Sequence, residues 1–329
     1  MARPGLPSWC STGAAILSLG SCAAWLVGRA AGDAWWWSQW LFWIPSAAVL
    51  LLALAALALG SLVGRAGRKS GLVLQVVVAL LALIALLRND LGFRVREPAI
   101  TAETVHVLQW NTNWPSSDDS RSAQALADTP ADIVLISNRG AITSPDRVRL
   151  WAGPDARVVG AGPFALVTRW PVREAIQIAG GGGAGKRWWV ARFEVLPPMW
   201  RGTPMRIAMV DLPSRPTLSR AAVAEALWQA CDEGSLGDVD LVAGDFNATD
   251  GSVILTRCFP GFRDVLQVAG EGWLATWPRR FPLWQIDHIL VAPALDVVRG
   301  RTVDPGSSGH RMTEAWLRLR EPDFNDSDR

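Results

Sequence analysis

Three apolar runs occupy most of the first hundred residues, at about Trp9–Gly28, Trp40–Gly64 and Gly71–Leu87. About 20 apolar residues at helical rise cross the ~30 Å hydrocarbon layer of a bilayer. The second run is long enough to span with tilt, and the third is slightly short but nearly pure Val, Leu, Ile and Ala. The first is interrupted by Ser18, Gly20 and Ser21 and also fits a secretory signal, although further runs come after it. Residues 1–97 therefore read as a membrane anchor with three transmembrane helices, at about 9–28, 40–64 and 71–87. The lipid bilayer is the first expected partner.

Charge separates this segment from the rest of the chain. Residues 1–100 hold eight Lys+Arg against three Asp+Glu, and residues 101–329 hold 24 against 27. Trp35, Trp36, Trp37, Trp40 and Trp43 cluster between the first two runs, where an interfacial aromatic belt would sit. Arg65, Arg68 and Lys69 place the second loop in the cytoplasm by the positive-inside rule. Three spans then put the C-terminal domain on the extracytoplasmic side of a multi-pass plasma (inner) membrane protein. Arg88, Arg94 and Arg96 argue the other way. Cys231 and Cys258 could pair in an exported domain or stay as core thiols. With 50% hydrophobic and 19% charged residues, the chain is not disordered throughout.

Residues 98–320 read as one α/β domain, and 321–329 as a polar tail. Val105–Asn111 alternates like a strand, and Asp132–Ser137 is a continuous apolar run suited to a strand buried on both faces. Arg157–Arg169, Arg187–Val195, Met205–Asp211, Asp240–Gly244, Gln285–Val291 and Arg311–Arg320 read as further strands. Asp118–Ala127 and Thr217–Asp232 read as helices, the second with Thr217 as its N-cap. The Gly run in Ala179–Gly185 lacks the Gly-Lys-Ser/Thr ending of a phosphate loop and reads as a flexible connection. Many strands and few helices point to two packed sheets flanked by helices.

Polar residues recur where these strands end: Asn111, Asn138, Asp211, Asp245 and Asn247, with Asp287 inside an apolar strand and His310 before the last one. Ligand sites of layered α/β folds gather at strand ends. Carboxylate and amide oxygens suit Mg2+ or Mn2+. Such a cation polarises a phosphoryl oxygen while a carboxylate activates water and an imidazole meets developing charge. His106 and His288 read as packing residues. The domain's acidic balance supplies no strong basic patch for duplex nucleic acid.

The segments Val242-Ala243-Gly244-Asp245-Phe246-Asn247-Ala248, Thr276-Trp277-Pro278 and Gln285-Ile286-Asp287-His288-Ile289-Leu290 come in this order behind Val107–Asn111 and the turn Leu166–Pro171. Together they resemble the endonuclease/exonuclease/phosphatase superfamily, whose DNase I-like fold is a four-layer α/β sandwich. The resemblance implies a divalent-metal phosphodiesterase or nuclease-type hydrolase acting on a nucleic acid, lipid head group or small phosphoester. It implies that Asn111 touches phosphate or metal, and that Asp245 orients or deprotonates the attacking water. Asn247 would hold phosphate, Asp287 would support the site and His310 would face the phosphate.

Three positions depart from the family's pattern. Asn138 stands where the main metal-ligating Glu is expected, Asp211 where a His is expected, and Gly309 where an Asp precedes the closing His310. Asn138 offers a neutral oxygen to a hard cation, and Gly309 removes a carboxylate expected to orient His310. One reading is a rearranged metal site of Asn138, Asp211 and Asp245. The alternative is a catalytically silent member that binds a phospholigand or partner, or a purely structural membrane protein with a vestigial domain.

Overall fold

The computed structural model describes residues 8–62, 69–93, 100–115, 120–182, 187–233 and 236–320, with the side chains of 8–11, 60–62 and 69–71 left aside. Arg65, Arg68, Arg94, Arg96, Asp118, Gly183–Gly185 and the tail lie outside the described residues, and so does the charge balance of the loop between the second and third apolar runs.

The apolar runs form helices α1 (Ser8–Ala31), α3 (Ser46–Leu62) and α4 (Lys69–Ala85), with the short α2 (Ser38–Phe42) between the first two. The run expected as one span over 40–64 is broken. α2 ends at Phe42, and α3 starts after Pro45, which has no N–H to continue a helix. Two helical segments, Thr12–Ala31 and Leu72–Asp90, are long and apolar enough to cross a membrane, whereas Ser46–Leu59 is shorter. Three full-length spans are therefore not what the described residues form. The helices meet along small residues, with Ala53, Ala79 and Ala82 buried beside Val49, Val78 and Trp25. Ser18 donates to Gln75 Oε1 at 2.7 Å across α1 and α4, which satisfies polar atoms among apolar neighbours. Outward-facing Ile16, Leu51 and Val73 are exposed.

The strands are β1 (Leu91–Gly92), β2 (Val105–Asn111), β3 (Ile133–Ser137), β4 (Arg157–Ala161), β5 (Phe164–Thr168), β6 (Val172–Gly181), β7 (Trp188–Val195), β8 (Met205–Asp211), β9 (Leu241–Asp245), β10 (Arg263–Asp264), β11 (Gly270–Trp273), β12 (Asp287–Val291), β13 (Leu295–Val303) and β14 (Met312–Leu319). They build an eight-stranded sheet in the order β1-β11-β13-β14-β2-β3-β5-β4 and a six-stranded sheet in the order β10-β12-β9-β8-β7-β6. Alternate residues of both sheets fill the space between them: Val105, Val107, Ile133 and Leu135 face Phe193, Ile207, Met209 and Ile289. Helices α5 (Ser120–Asp128) and α6 (Pro145–Ala152) cover the outer face of the first sheet, through Leu126 and Val148 on Leu108 and Ile136. Helices α7 (Arg220–Glu233) and α8 (Val253–Cys258) cover the second, through Leu227 and Ile254 on Val210 and Val242. A fifth, α9 (Val265–Ala269), packs at the β12–β13 edge. This is the expected four-layer α/β sandwich of two packed sheets flanked by helices.

Some local expectations differ. Arg157–Arg169 is a hairpin of two strands, β4 and β5, turning at Gly162 with φ 58°. The Gly-rich run begins inside β6 rather than in a loop. β13 carries a bulge between Val297 and Arg299 that breaks its alternation. α7 starts at Arg220, so Thr217 is not its N-cap. Cys231 and Cys258 are free thiols.

Candidate active site

The site sits where the parallel strands β2 and β3 of one sheet and β8 and β9 of the other end together. Asn111 closes β2, Asn138 comes directly after β3, and Asp211 and Asp245 close β8 and β9, paired in register across the parallel ladder. Gly244 fits only as glycine. Its φ is 147°, and a Cβ there would strike the Val210 carbonyl. The next residue, Asp245, is thereby held at the sheet edge.

Asp287 opens β12, antiparallel to β9 and opposite Asp245. Its backbone N–H, with that of Ile286, donates to Thr276 Oγ1 at 3.2 Å. This is the local work of the Thr276-Trp277-Pro278 motif. His310 is fixed by the loop before β14. Ser308 Oγ donates to the Asn111 carbonyl at 2.7 Å and accepts from the His310 N–H at 3.3 Å.

All seven residues singled out in the sequence converge. Six of them line one cavity of about 570 Å³, and Asp287 lies buried directly behind His310. Asn111 donates to Asp245 Oδ2 at 2.8 Å and accepts from Asn138 Nδ2 at 3.1 Å and from the Asn113 N–H at 3.0 Å. The Asn111 side chain is thus spent on orienting Asp245. Asn247 donates its backbone N–H to Asp245 Oδ1 at 2.9 Å and its side-chain N–H to the Leu212 carbonyl at 2.9 Å. Asn138 and Asn247 have left-handed backbones, φ 54° and 48°, which Asn tolerates better than Glu does.

His310 Nδ1 donates to Asp287 Oδ2 at 2.9 Å, while Nε2 faces Asp245 Oδ2 at 3.8 Å. The loss expected from Gly309 is therefore corrected: Asp287, 23 residues away in sequence, supplies the carboxylate that orients the imidazole. Burial alone would lower the His310 pKa, but the charge and hydrogen bond of Asp287, with Asp245 and Asp211 beyond, raise it to about 9. The ring is a cation at neutral pH.

The carboxylates show the opposite strain. Burial first, then the charge of Asp245, pushes Asp211 up to about 8, against the lowering contact of Asn138. Burial, then Asp287, pushes Asp245 up to about 6. Asp287 Oδ1 is buried without a hydrogen-bond partner. Three carboxylates thus lie against the His310 imidazolium, with the buried Arg220 guanidinium as a further cation near Asp245, and the three acids are a donor set that fits a divalent cation. Asp245, Asp287 and His310 each place a potential ligand atom within 4.8 Å of the others. The oxygens of Asp211, Asp245 and Asn138 line the same cavity and are a second donor set of the kind a hard cation takes.

His106 and His288 lie outside the site. His106 stacks on Trp316 at 4.1 Å and meets Glu314, and His288 is buried between Asp264 and the Ala248 carbonyl. Arg139 and Arg169 donate to the backbone carbonyls of Gly162 and Ala152. Reasoning from sequence missed Trp40, Trp43, Trp189 and Arg220, which also line the cavity. Trp40 and Trp43 are legible only as an aromatic cluster, because their partners lie far along the chain.

Comparisons with known proteins give the family and the fold. The model of the endonuclease/exonuclease/phosphatase family matches residues 108–310, more than half of the chain, and the protein belongs to that family. A mannosyl-6-phosphatase of Bacteroides thetaiotaomicron shares the fold at TM-score 0.52 and 15% identity, over 65% of this chain and all of its own. An endonuclease/exonuclease/phosphatase family protein of the same organism aligns at TM-score 0.51 and 16% identity, over 66% of this chain and 98% of its own. At such identity the likeness speaks for the fold alone. A comparison with curated proteins finds no match.

Proposed function

We propose that the protein is a membrane-anchored, divalent-metal-dependent phosphoesterase. The observation that carries this reading is the pairing of Asp211 with Asp245 at adjacent strand ends, facing a His310 imidazolium in one cavity. Asp211, Asp245 and Asn138 would hold Mg2+ or Mn2+, and Asp211 replaces the charge lost with the family's Glu. Bound there, the cation supplies Lewis-acid polarisation of a phosphoryl oxygen. Asp245, fixed through both oxygens by Asn111 and Asn247, accepts the proton of the attacking water. His310, locked by Asp287, presents its Nε2–H to the phosphate and stabilises charge as it develops. Asn247 keeps its second amide N–H for a phosphate oxygen.

Anchoring rests on α1, α3 and α4. Exposed Leu, Val and Ile cover their outer faces, and the two longest apolar windows are only 22% buried. A bilayer is the solvent that suits such a surface.

The test is hydrolysis of a simple phosphodiester by the full chain in detergent, with Mg2+ or Mn2+ against a chelator. Cation-dependent turnover abolished by Asp245→Ala supports the assignment, and turnover unchanged by that substitution sinks it. Asn138, neutral where the family's metal-ligating Glu is expected, favours a second reading, a silent phospholigand-binding member. It predicts no turnover and no binding of Mg2+ or Mn2+ at millimolar concentration.

A further inference from the structure

The connector between the first two apolar helices reaches the mouth of the cavity and is fastened there. Asp33 is buried, and it accepts from Ser252 Oγ at 2.5 Å and from the Val253 N–H at 2.8 Å, at the start of α8. Gln39, also buried, donates to the Pro216 carbonyl at 2.7 Å and accepts from the Arg220 N–H at 3.3 Å. Trp284 Nε1 donates to the Trp43 carbonyl at 2.8 Å. These are specific polar contacts, spaced along the connector from Asp33 to Trp43.

What they bring to the cavity is aromatic. Trp40 and Trp43 pack edge to face at 5.6 Å, Trp43 hydrogen-bonds Trp284 through its carbonyl, and Trp284 lies 5.5 Å from Trp277. All four line the cavity. Trp40 and Trp277 keep 45% and 39% of their surface, which is large for rings in a concave site. Arg220 is fully buried beneath this wall, with its guanidinium 5.0 Å from the Trp43 ring and its Nε without a partner. The cavity therefore has a polar floor that includes Asn111, Asn247, Asp245 and His310 and an apolar wall of tryptophans, two of which, Trp40 and Trp43, come from the connector.

We infer that the connector Gly32–Pro45 is part of the substrate site, and that Trp40 and Trp43 select an amphiphilic phosphoester whose apolar portion packs on the tryptophan wall. The inference rests on the phosphoesterase reading for its floor and on the connector geometry for its wall. A purely polar phosphoester would leave the wall unused. An amphiphile covers it while its phosphate reaches His310. Trp40 and Trp43 are specificity residues.

The experiment uses the full chain in detergent and a series of alkyl p-nitrophenyl phosphodiesters, methyl to butyl, all water-soluble. Burial of a methylene predicts a rise in kcat/KM of about two- to fourfold per carbon. Trp40→Ala and Trp43→Leu should bring the butyl-to-methyl ratio towards one. Trp36→Ala, from the same cluster but outside the cavity, should leave the ratio as in the wild type. A flat series in the wild type, or the same slope in Trp40→Ala and Trp43→Leu, overturns the inference. If no ester is hydrolysed, the phosphoesterase reading fails and calorimetry decides the wall by itself. Butyl phosphate binding more tightly than methyl phosphate, with the difference lost in Trp40→Ala, upholds it; equal binding overturns it.

Discussion

His310 and Asp287 form a buried pair, with Nδ1 2.9 Å from Oδ2, although 23 residues and a strand separate them. The pairing makes Asp287 a positioning residue, since its carboxylate fixes the ring and keeps it charged. Asp287→Asn should lower kcat by about 10²- to 10⁴-fold, the usual range for disabling acid–base machinery. It should also move the basic limb of the pH profile down towards the ordinary His range, because the charge that raises the His310 pKa is gone. A rate loss with the basic limb unmoved would mean that Asp287 serves packing alone.

The pH dependence has a definite sign. Turnover needs Asp245 ionised and His310 protonated, so the profile should be bell-shaped, with both limbs below the cation-free values of about 6 and 9 once a cation sits beside these groups. Cation binding competes with the proton held by Asp211 near pH 8, so apparent affinity for Mn2+ should tighten as pH rises from 6 to 8. Stability without a cation runs the other way. The folded pKa of Asp211, Asp245 and His310 all lie above their ordinary values, so the folded state binds more protons from about pH 4 to 9. Unfolding free energy should therefore fall as pH rises across that window. Thermal melts at pH 5 and pH 8 with chelator, then with Mn2+, test both signs. A cation at one hundred times its Kd should restore about 2.7 kcal/mol at pH 8.

Much of this was legible in the sequence, for physical reasons. Ile133–Ser137 and Leu241–Asp245 are buried on both faces and read as unbroken apolar runs, so their ends located Asn138 and Asp245. β13 was missed, because its bulge and its Arg299 and Arg301 break the alternation. The partner of His310 was sought in the adjacent residue, whereas the antiparallel β9–β12 pairing delivers Asp287 from another strand. The cavity wall had no local signal at all. Trp43 meets Trp284 241 residues away, and an aromatic cluster beside an apolar run reads first as an interfacial belt.

Gly309 is replaceable. Its φ is not left-handed, and the nearest atom to an added Cβ is Trp277 Nε1 at 4.0 Å. Gly309→Asp should fold and place a further carboxylate beside His310. The expected result is a basic limb of the pH profile moved upward, because a further anion then faces the imidazolium. An unmoved limb in a folded variant would mean that the new carboxylate does not face His310.

Asp33 reinforces the N-terminal cap of α8 from the connector, accepting from the Val253 N–H and from the hydroxyl of the N-cap Ser252. Asp33→Ala should cost about 1–2 kcal/mol of stability, the range for a lost helix cap. It should also speed amide exchange at Val253. Exchange at Val253 as slow as in the wild type would show that the connector is held by Gln39 and Trp43 without this cap.

The central claim is that Asp211 and Asp245 hold a divalent cation between adjacent strand ends. Calorimetric titration of the full chain in detergent with Mn2+ at pH 8 tests it most directly. The account predicts one site per chain, lost in Asp245→Asn and in Asp211→Asn and retained in His310→Gln. No binding at millimolar Mn2+, or binding that survives both aspartate substitutions, would contradict it.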